Sequence, residues 1–329
     1  MTVTILSSGL PPLTAVRLLD SWQPDPYALA LVALLGGLYA WGVARLARRG
    51  EHWPVVRTAA FALLGLGAIV VATMSGLAVY DRVLFWPAAV QNTVLDLIAP
   101  LGLALGDPLT LALRALPPDG RAARRLRAAL SARVLRLLTF PLVSTVLVLG
   151  SELAVYFTPY FESALLHDGL HELMYLQLLL TGSLFMLPML TRQDLLPSWC
   201  GHPVRALLVF LDGLVDAVPG LVVMVSGTLV AGGWYAARQP SWGPSAHQDQ
   251  MIGGGLMLTI AELVGLPFLI AVFAEWVRAE RVRTAALDAT LDRASTGEPA
   301  GAPTGAAPDR PWWETDQGSV GDRFRRGLY

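Results

Sequence analysis

Acidic side chains interrupt several long apolar stretches of this sequence, namely Asp96, Glu152, Asp212, Asp216 and Glu262. An ionisable group inside a membrane-spanning helix is costly, so each of these residues is a functional candidate. Asp212 and Asp216 are four residues apart and would share one helix face, where both cannot ionise cheaply. Their spacing implies a shared proton, a bound cation or an arginine partner. The alternative is that each carboxyl only hydrogen-bonds to a neighbouring helix.

A second group of residues could bind a metal. His171 is the one histidine in a stretch apolar enough to enter a membrane, and Glu172 follows it directly. Met224 lies in another apolar stretch, and both imidazole and thioether groups bind copper. Methionine is also ordinary packing material in apolar helices, so these residue types leave metal binding and packing both open. The single cysteine, Cys200, excludes an internal disulfide and a Cys-pair metal site.

Several other functions are excluded by what the sequence contains. The net charge is −1, which gives no electrostatic basis for binding nucleic acid. No glycine-rich phosphate loop or nucleophile elbow appears in the sequence. The glycines at 253–255 are adequately explained by close helix packing. The sequence therefore predicts a protein that is not an enzyme.

The composition places this 329-residue chain in a membrane. Hydrophobic residues make up 54% of it and charged residues 15%, with a mean hydropathy of +0.53, whereas soluble domains carry about 25% charged residues. Seven apolar stretches approach the ~20 residues that cross a bilayer: residues 27–44, 58–80, 83–106, 137–157, 169–191, 206–235 and 251–277. Pro100 predicts a kink or an end in the third stretch. The fold predicted is all-α, a polytopic membrane protein with a bundle of about seven transmembrane helices in contact with the lipid bilayer.

Arginines are concentrated in alternate loops between these stretches. Seven lie from Arg114 to Arg136, whereas the loops on the opposite side hold only Arg82 and Arg238. Because arginine-rich loops remain in the cytoplasm, the bias predicts an outer N-terminus and a cytoplasmic C-terminus. The predicted divisions are an outer segment 1–26, a seven-helix domain 27–283, and a cytoplasmic, largely disordered tail 284–329 whose first part continues as a helix.

Short segments in a fixed order along the chain resemble one known family. They include Ser-Gly-Leu-Ala-Val-Tyr-Asp-Arg-Val-Leu-Phe at 75–85, Leu-Gly-Asp-Pro at 105–108, Tyr-Phe-Thr-Pro at 156–159, His-Glu-Leu-Met at 171–174 and Trp-Tyr-Ala-Ala at 234–237. The order and spacing of these segments resemble the CtaG-type cytochrome c oxidase assembly proteins in their actinobacterial form. The resemblance extends over about residues 10–293.

The resemblance implies a role near copper, because that family is associated with copper insertion into the oxidase. The family's characteristic polar residues are intramembrane histidines, and of six such positions this chain keeps only His171. The other five are Ala88, Asn92, Tyr175, Gln177 and Asp216. Asp216 thereby joins His171, Glu172 and Met224 as a candidate metal ligand. Since imidazole is a preferred copper ligand, the replacements predict reduced or lost copper binding.

Two functional hypotheses follow. The first is an accessory protein of oxidase assembly in the plasma membrane of a bacterium, with oxidase subunits or other assembly factors as its partners. The alternative is a transporter or channel that moves a proton, an ion or a small solute along the intramembrane carboxylates. Carboxylates that line one shared cavity would favour transport, and carboxylates that point separately at neighbouring helices would favour the accessory protein.

Overall fold

The computed structural model describes residues 10–191, 195–196 and 200–296. Every regular element in this part of the chain is a helix, and no strand occurs in it. In chain order the helices are α1 (Ala15–Asp20), α2 (Pro26–Ala47), α3 (Val55–Tyr80), α4 (Phe85–Ala115), α5 (Arg121–Leu130), α6 (Arg133–Leu138), α7 (Pro141–Phe157), α8 (Tyr160–Leu166), α9 (Asp168–Leu190), α10 (His202–Val225), α11 (Trp234–Ala237) and α12 (Ala246–Thr296).

Six of the described segments are long and apolar enough to cross a membrane. Five of them contain α2, α3, α4, α9 and α12, and the sixth runs from α10 to the end of α11. Helices α7 and α8 are each too short alone, and together they form a pair bent by 65°. Counting that pair as one span gives seven. The predicted all-α membrane protein of about seven spans is thus confirmed, whereas the orientation of the termini stays a prediction.

Prolines and one strained residue explain where the helices depart from the predicted boundaries. The fourth predicted stretch starts at 137, but α7 begins at Pro141, where the missing N–H costs nothing. The third predicted stretch ends at 106, whereas α4 continues to Ala115. Its helical path is interrupted at Asp107, which has a left-handed φ of 48°, and resumes at Pro108.

Glycines set the distances between the central helices. A Cβ on Gly102 of α4 would lie 2.1 Å from the backbone nitrogen of Gly65 on α3. A Cβ on Gly182 of α9 would lie 1.9 Å from the carbonyl oxygen of Asp96 on α4. Neither space could hold a side chain, so these glycines let α3 and α9 pack directly against the α4 backbone.

A buried ion pair joins α3, α4 and α12. Arg57 of α3 hydrogen-bonds to the carboxylate of Asp107, and its other terminal nitrogen lies 3.1 Å from Oε1 of Glu275 on α12. Thr191 donates a hydrogen bond of 3.0 Å to the second oxygen of Asp107. The Asp107 side chain is only 1% exposed, so its charge depends on these partners.

The chain divides into two units after Val277. The first contains the helical bundle, and the described residues 278–296 of the second are helical. A helix in the first part of the tail agrees with the prediction from sequence. The predicted disorder of the tail falls on residues 297–329, and these lie outside the described residues, as do residues 1–9 of the predicted outer segment.

Candidate functional site

A π-helical turn positions the first of the predicted carboxylates. Asp96 lies in the π turn Val94–Ile98 of α4, and its side chain is fully buried. Such a turn shifts the side-chain register of a helix and is frequent at functional sites. Close packing at Gly182 brings α9 beside this turn, where Thr181 donates a hydrogen bond of 3.3 Å to Oδ1 of Asp96.

Glu152 of α7 lies close to Asp96. The two carboxyl groups interact electrostatically, and each side chain is less than 5% exposed. Oδ2 of Asp96 and Oε2 of Glu152 are both buried and have no hydrogen-bond partner among the described residues. Two buried carboxylates so close to each other repel strongly, so at least one of the two must hold a proton.

Two further carboxyls from α10 complete a carboxyl cluster, which we define as Asp96, Glu152, Asp212 and Asp216. Thr145 of α7 donates a hydrogen bond of 2.6 Å to Oδ1 of Asp212, which is 4% exposed. Asp212 interacts electrostatically with Asp96 and Glu152, and Asp216 interacts with all three. Among the described residues, no salt bridge involves any of the four. The sequence-predicted carboxylates of three different spans therefore meet in one place.

Glu262 does not join this cluster. Its side chain is exposed on α12, whereas Asp96, Glu152 and Asp212 are buried. The interactions found for the four clustered carboxyls do not include Glu262. Glu262 was predicted as an intramembrane polar residue, and the structure places it on the lateral surface of the bundle.

A second polar group lies at the end of the bundle where α4 and α9 begin. We call it the Asp81 cluster and define it as Asp81, Gln91, His171 and Tyr175. Nε2 of His171 lies 3.1 Å from Oδ2 of Asp81 and hydrogen-bonds to the Tyr175 hydroxyl. That hydroxyl accepts a hydrogen bond from Gln91 and donates one of 3.2 Å to Asp81. Nδ1 of His171 is buried and has no partner.

Arg82 adds a positive charge beside the Asp81 cluster. One of its terminal nitrogens lies 2.6 Å from the Asp168 carboxylate at the start of α9. The pKa of the Arg82 guanidinium is raised above its ordinary value. Burial acts to lower that pKa, but the hydrogen bond with Asp168 and the charges of Asp81 and Asp168 outweigh burial.

The start of α4, next to these groups, is held by a residue from α12. The Asp249 carboxylate accepts hydrogen bonds from the backbone nitrogens of Phe85 at 2.7 Å and Trp86 at 3.0 Å. A carboxylate at the N-terminus of a helix satisfies free N–H groups and complements the helix dipole. Asp249 therefore fixes the position from which Gln91 reaches the Asp81 cluster.

The donors around His171 are a poor match for copper. They are one imidazole, a carboxylate, a phenol and an amide, whereas Cu(I) favours thiolate, thioether and imidazole groups. Asn92, at another family histidine position, donates to the Tyr156 hydroxyl at 3.3 Å, and Ala88 offers only a methyl group. The described residues contain no group of three or more His, Cys, Asp or Glu side chains arranged to hold a metal ion.

The structure distributes the four predicted metal ligands over three places. His171 and Glu172 line the same cavity at the Asp81 end of the bundle. Asp216 belongs to the carboxyl cluster. Met224 packs against α12, where a Cβ on Gly255 would lie 3.7 Å from the Met224 sulfur. Only the two neighbours in sequence are therefore brought together, and metal binding by these residues stays a prediction.

Sequence reasoning did not select Asp81, Arg82 or Gln91 as site residues. Asp81 and Arg82 lie in the loop between α3 and α4, where a charged residue carries no membrane cost and so gives no signal. The segment at 75–85, which contains both, carries the family resemblance, and that resemblance is the sequence signal for this loop.

Comparisons with known proteins give one family and three relatives. The family model described as cytochrome c oxidase caa3 assembly factor matches residues 37–279. Uncharacterized proteins of Mycobacterium bovis and Mycobacterium tuberculosis are each 34% identical over 275 residues, which is 82% of this chain and 41% of the relative. One from Mycobacterium leprae is 30% identical over 272 residues, 81% of this chain and 41% of its own length. The chain thus spans about two fifths of these relatives, and no solved structure matches it.

Proposed function

We propose that this chain, which belongs to the cytochrome c oxidase caa3 assembly factor family, assists oxidase assembly and is not an enzyme. The family model matches residues 37–279, and this range includes all residues of the carboxyl cluster and of the Asp81 cluster. The site of action proposed is the plasma membrane of a bacterium. The proposed partners are oxidase subunits or other assembly factors.

The lateral surface of the bundle supports a partner-binding role inside the membrane. Large apolar side chains are exposed on α2, α10 and α12, among them Leu34, Phe210 and Leu266. In a bilayer such surfaces contact either lipid or the helices of other membrane proteins, and helix association there depends on packing and hydrogen bonds. Through these exposed faces, an assembly factor could bind the transmembrane helices of a partner subunit.

We also propose that copper handling is reduced or lost in this chain. The supporting observation is that His171, the remaining imidazole, contacts the oxygen atoms of Asp81 and Tyr175. A histidine at position 175 would supply a second imidazole one helical turn away, whereas the phenol is a poor Cu(I) donor. The chain is therefore proposed to act as a scaffold and not as a copper donor.

The test is a deletion of the gene for this chain in the bacterium that carries it, with the assembled oxidase measured by its haem absorbance in membranes. We expect the oxidase level to fall, to return when the wild-type gene is restored, and to stay low when copper is added to the medium. Rescue by copper alone would show that copper delivery is the lost function. An unchanged oxidase level would overturn the assembly role.

The carboxyl cluster favours a second candidate function, movement of protons. Gln91 and Asn92 lie about one turn of α4 from Asp96, so polar groups follow one another from the Asp81 cluster to the carboxyl cluster. Chains of buried acids are typical of proton relays in membrane proteins. Proton flux into liposomes that contain the purified protein, lost in Asp96→Asn and kept in Glu262→Gln, would support this alternative.

A further inference from the structure

Two cavities adjoin at the Asp81 end of the bundle. The first has a volume of about 460 Å³, and its walls include the charged residues Asp25, Arg82 and Glu172. The second has a volume of about 340 Å³, and its walls are mainly apolar. The residues that line both cavities are Tyr27, Thr73, Glu172 and Tyr175. Together they form one amphipathic space with a charged part and an apolar part.

The apolar part lies next to the lipid-facing surface. Its walls include Tyr27 at the start of α2 and Leu173 and Leu176 on α9, which are 72%, 54% and 41% exposed. Ile69 and Leu95 form its inner wall and are almost fully buried. A hydrocarbon chain could therefore enter sideways from the bilayer between α2 and α9, without crossing the polar part.

The charged part has an excess of carboxylates. Asp25 and Glu172 both line this part and interact electrostatically, and Glu172 also lines the apolar part. Oδ1 of Asp25 already accepts hydrogen bonds from the backbone nitrogens of Tyr27 and Ala28, at 2.8 and 3.2 Å. Two adjacent carboxylates need a proton or a cation between them. An ammonium group, with three N–H donors, can satisfy both at once.

The charged part also offers donors for an anion. Arg82 uses one terminal nitrogen for Asp168, and a guanidinium has five N–H groups, so donors remain for another acceptor. His171 also lines this cavity and is only 5% exposed. Its Nε2 is the donor to Tyr175 and Asp81, so the unpartnered Nδ1 of the neutral ring is an acceptor and Arg82 is the donor for the anion. A ligand with a positive and a negative group would therefore find partners for both groups in this cavity.

We propose that these joined cavities bind an aminophospholipid. Its ammonium group lies between Asp25 and Glu172, its phosphate lies beside Arg82, and one acyl chain occupies the apolar cavity. The bilayer is the source of this ligand, since the apolar part adjoins the lipid-facing surface. The inference is independent of the role in oxidase assembly, because it rests only on the two cavities and their walls.

The test measures thermal unfolding of the delipidated, detergent-purified full chain after addition of lipid. The probes are phosphatidylethanolamine, phosphatidylcholine and phosphatidylglycerol with identical acyl chains, and phosphoethanolamine without chains. We expect phosphatidylethanolamine to raise the unfolding temperature most, because the choline head lacks N–H donors and the glycerol head lacks the positive charge. Phosphoethanolamine should give little shift. Equal shifts with all three lipids would overturn the proposal, since they would reflect filling of the apolar cavity alone.

Two variants separate the parts of the site. Glu172→Gln removes a charge without touching the helix cap made by Asp25, and should weaken the apparent affinity for phosphatidylethanolamine about tenfold or more. Leu176→Trp should fill the apolar cavity and reduce binding of all three lipids. Asp20→Asn, which removes an exposed carboxylate not among the cavity residues, is the matched control and should bind as the wild type does. Unchanged lipid selectivity in Glu172→Gln would contradict the assignment.

Discussion

The carboxyl groups of Asp96 on α4 and Glu152 on α7 interact electrostatically in the interior of the bundle. Both side chains are buried, and no arginine or histidine forms a salt bridge with either one among the described residues. Two such carboxyl groups are stable together only if at least one of them holds a proton. The pair therefore does not carry two negative charges.

Substitutions at Glu152 should distinguish hydrogen bonding from charge. Glu152→Gln keeps a donor and an acceptor, so we expect a small change in stability. Glu152→Leu replaces the polar group beside Asp96 with an apolar one and should cost about 1–3 kcal/mol. The measurement is the thermal unfolding midpoint in detergent, with the exposed Glu262→Leu as a control that should change little. Equal losses for Gln and Leu would point to a required negative charge.

The same comparison applies to Asp216 of α10. Asp216→Asn should cost less stability than Asp216→Leu, because the amide can still hydrogen-bond within the carboxyl cluster. Thermal unfolding in detergent again gives the comparison. If the two variants lose the same stability, the cluster needs the negative charge of Asp216.

Close packing at Gly182 gives a second kind of prediction. Gly182→Ala places a Cβ where only 1.9 Å separates it from the carbonyl oxygen of Asp96, so α9 must move away from α4. We expect a loss of about 1–3 kcal/mol, as for other overpacked positions. Gly150→Ala on α7 is the matched control, since no atom lies within 4 Å of the added Cβ. It should be neutral or slightly stabilising. Similar unfolding midpoints for both variants would show that α9 does not need this close approach.

The sequence predicts the spans and the acidic residues inside them, but it does not predict how these residues pack together. The number of spans follows from the length of apolar runs, and the acids inside them are identified by their cost in a membrane. The position of Asp96 depends on the π turn at 94–98 and on the close packing of α9 at Gly182, and these features arise from tertiary packing. Glu262 has the same sequence signal as Asp96. It lies on the exposed face of α12, and an apolar span does not reveal which of its faces contacts lipid.

The ion pair at the opposite end of the bundle should contribute strongly to stability. Asp107→Ala leaves Arg57 without its most buried partner, and the expected cost is about 3–5 kcal/mol. Glu51→Ala breaks the exposed pair between Glu51 and Arg114 and should cost less than about 1 kcal/mol. Unfolding in detergent measures both. A loss for Asp107→Ala no larger than that for Glu51→Ala would show that the buried pair is dispensable.

The predicted orientation can be tested with reporter fusions. A fusion at Gly120 lies in the arginine-rich region between α4 and α7, and a fusion at Gly243 lies between α11 and α12. Arginine bias predicts that Gly120 is cytoplasmic and Gly243 is outside. Activity of both reporters in the same compartment would contradict the topology.

The central claim is that this member of the assembly family keeps the membrane bundle without a tight copper site. A Cu(I) competition titration against a chelator, in one detergent, tests it most directly. We expect weak or no stoichiometric binding by the wild type, because the donors near His171 are mostly oxygen atoms. A variant that combines Ala88→His, Asn92→His and Tyr175→His should bind much more tightly. Tight one-to-one binding by the wild type, abolished by His171→Ala, would contradict the claim.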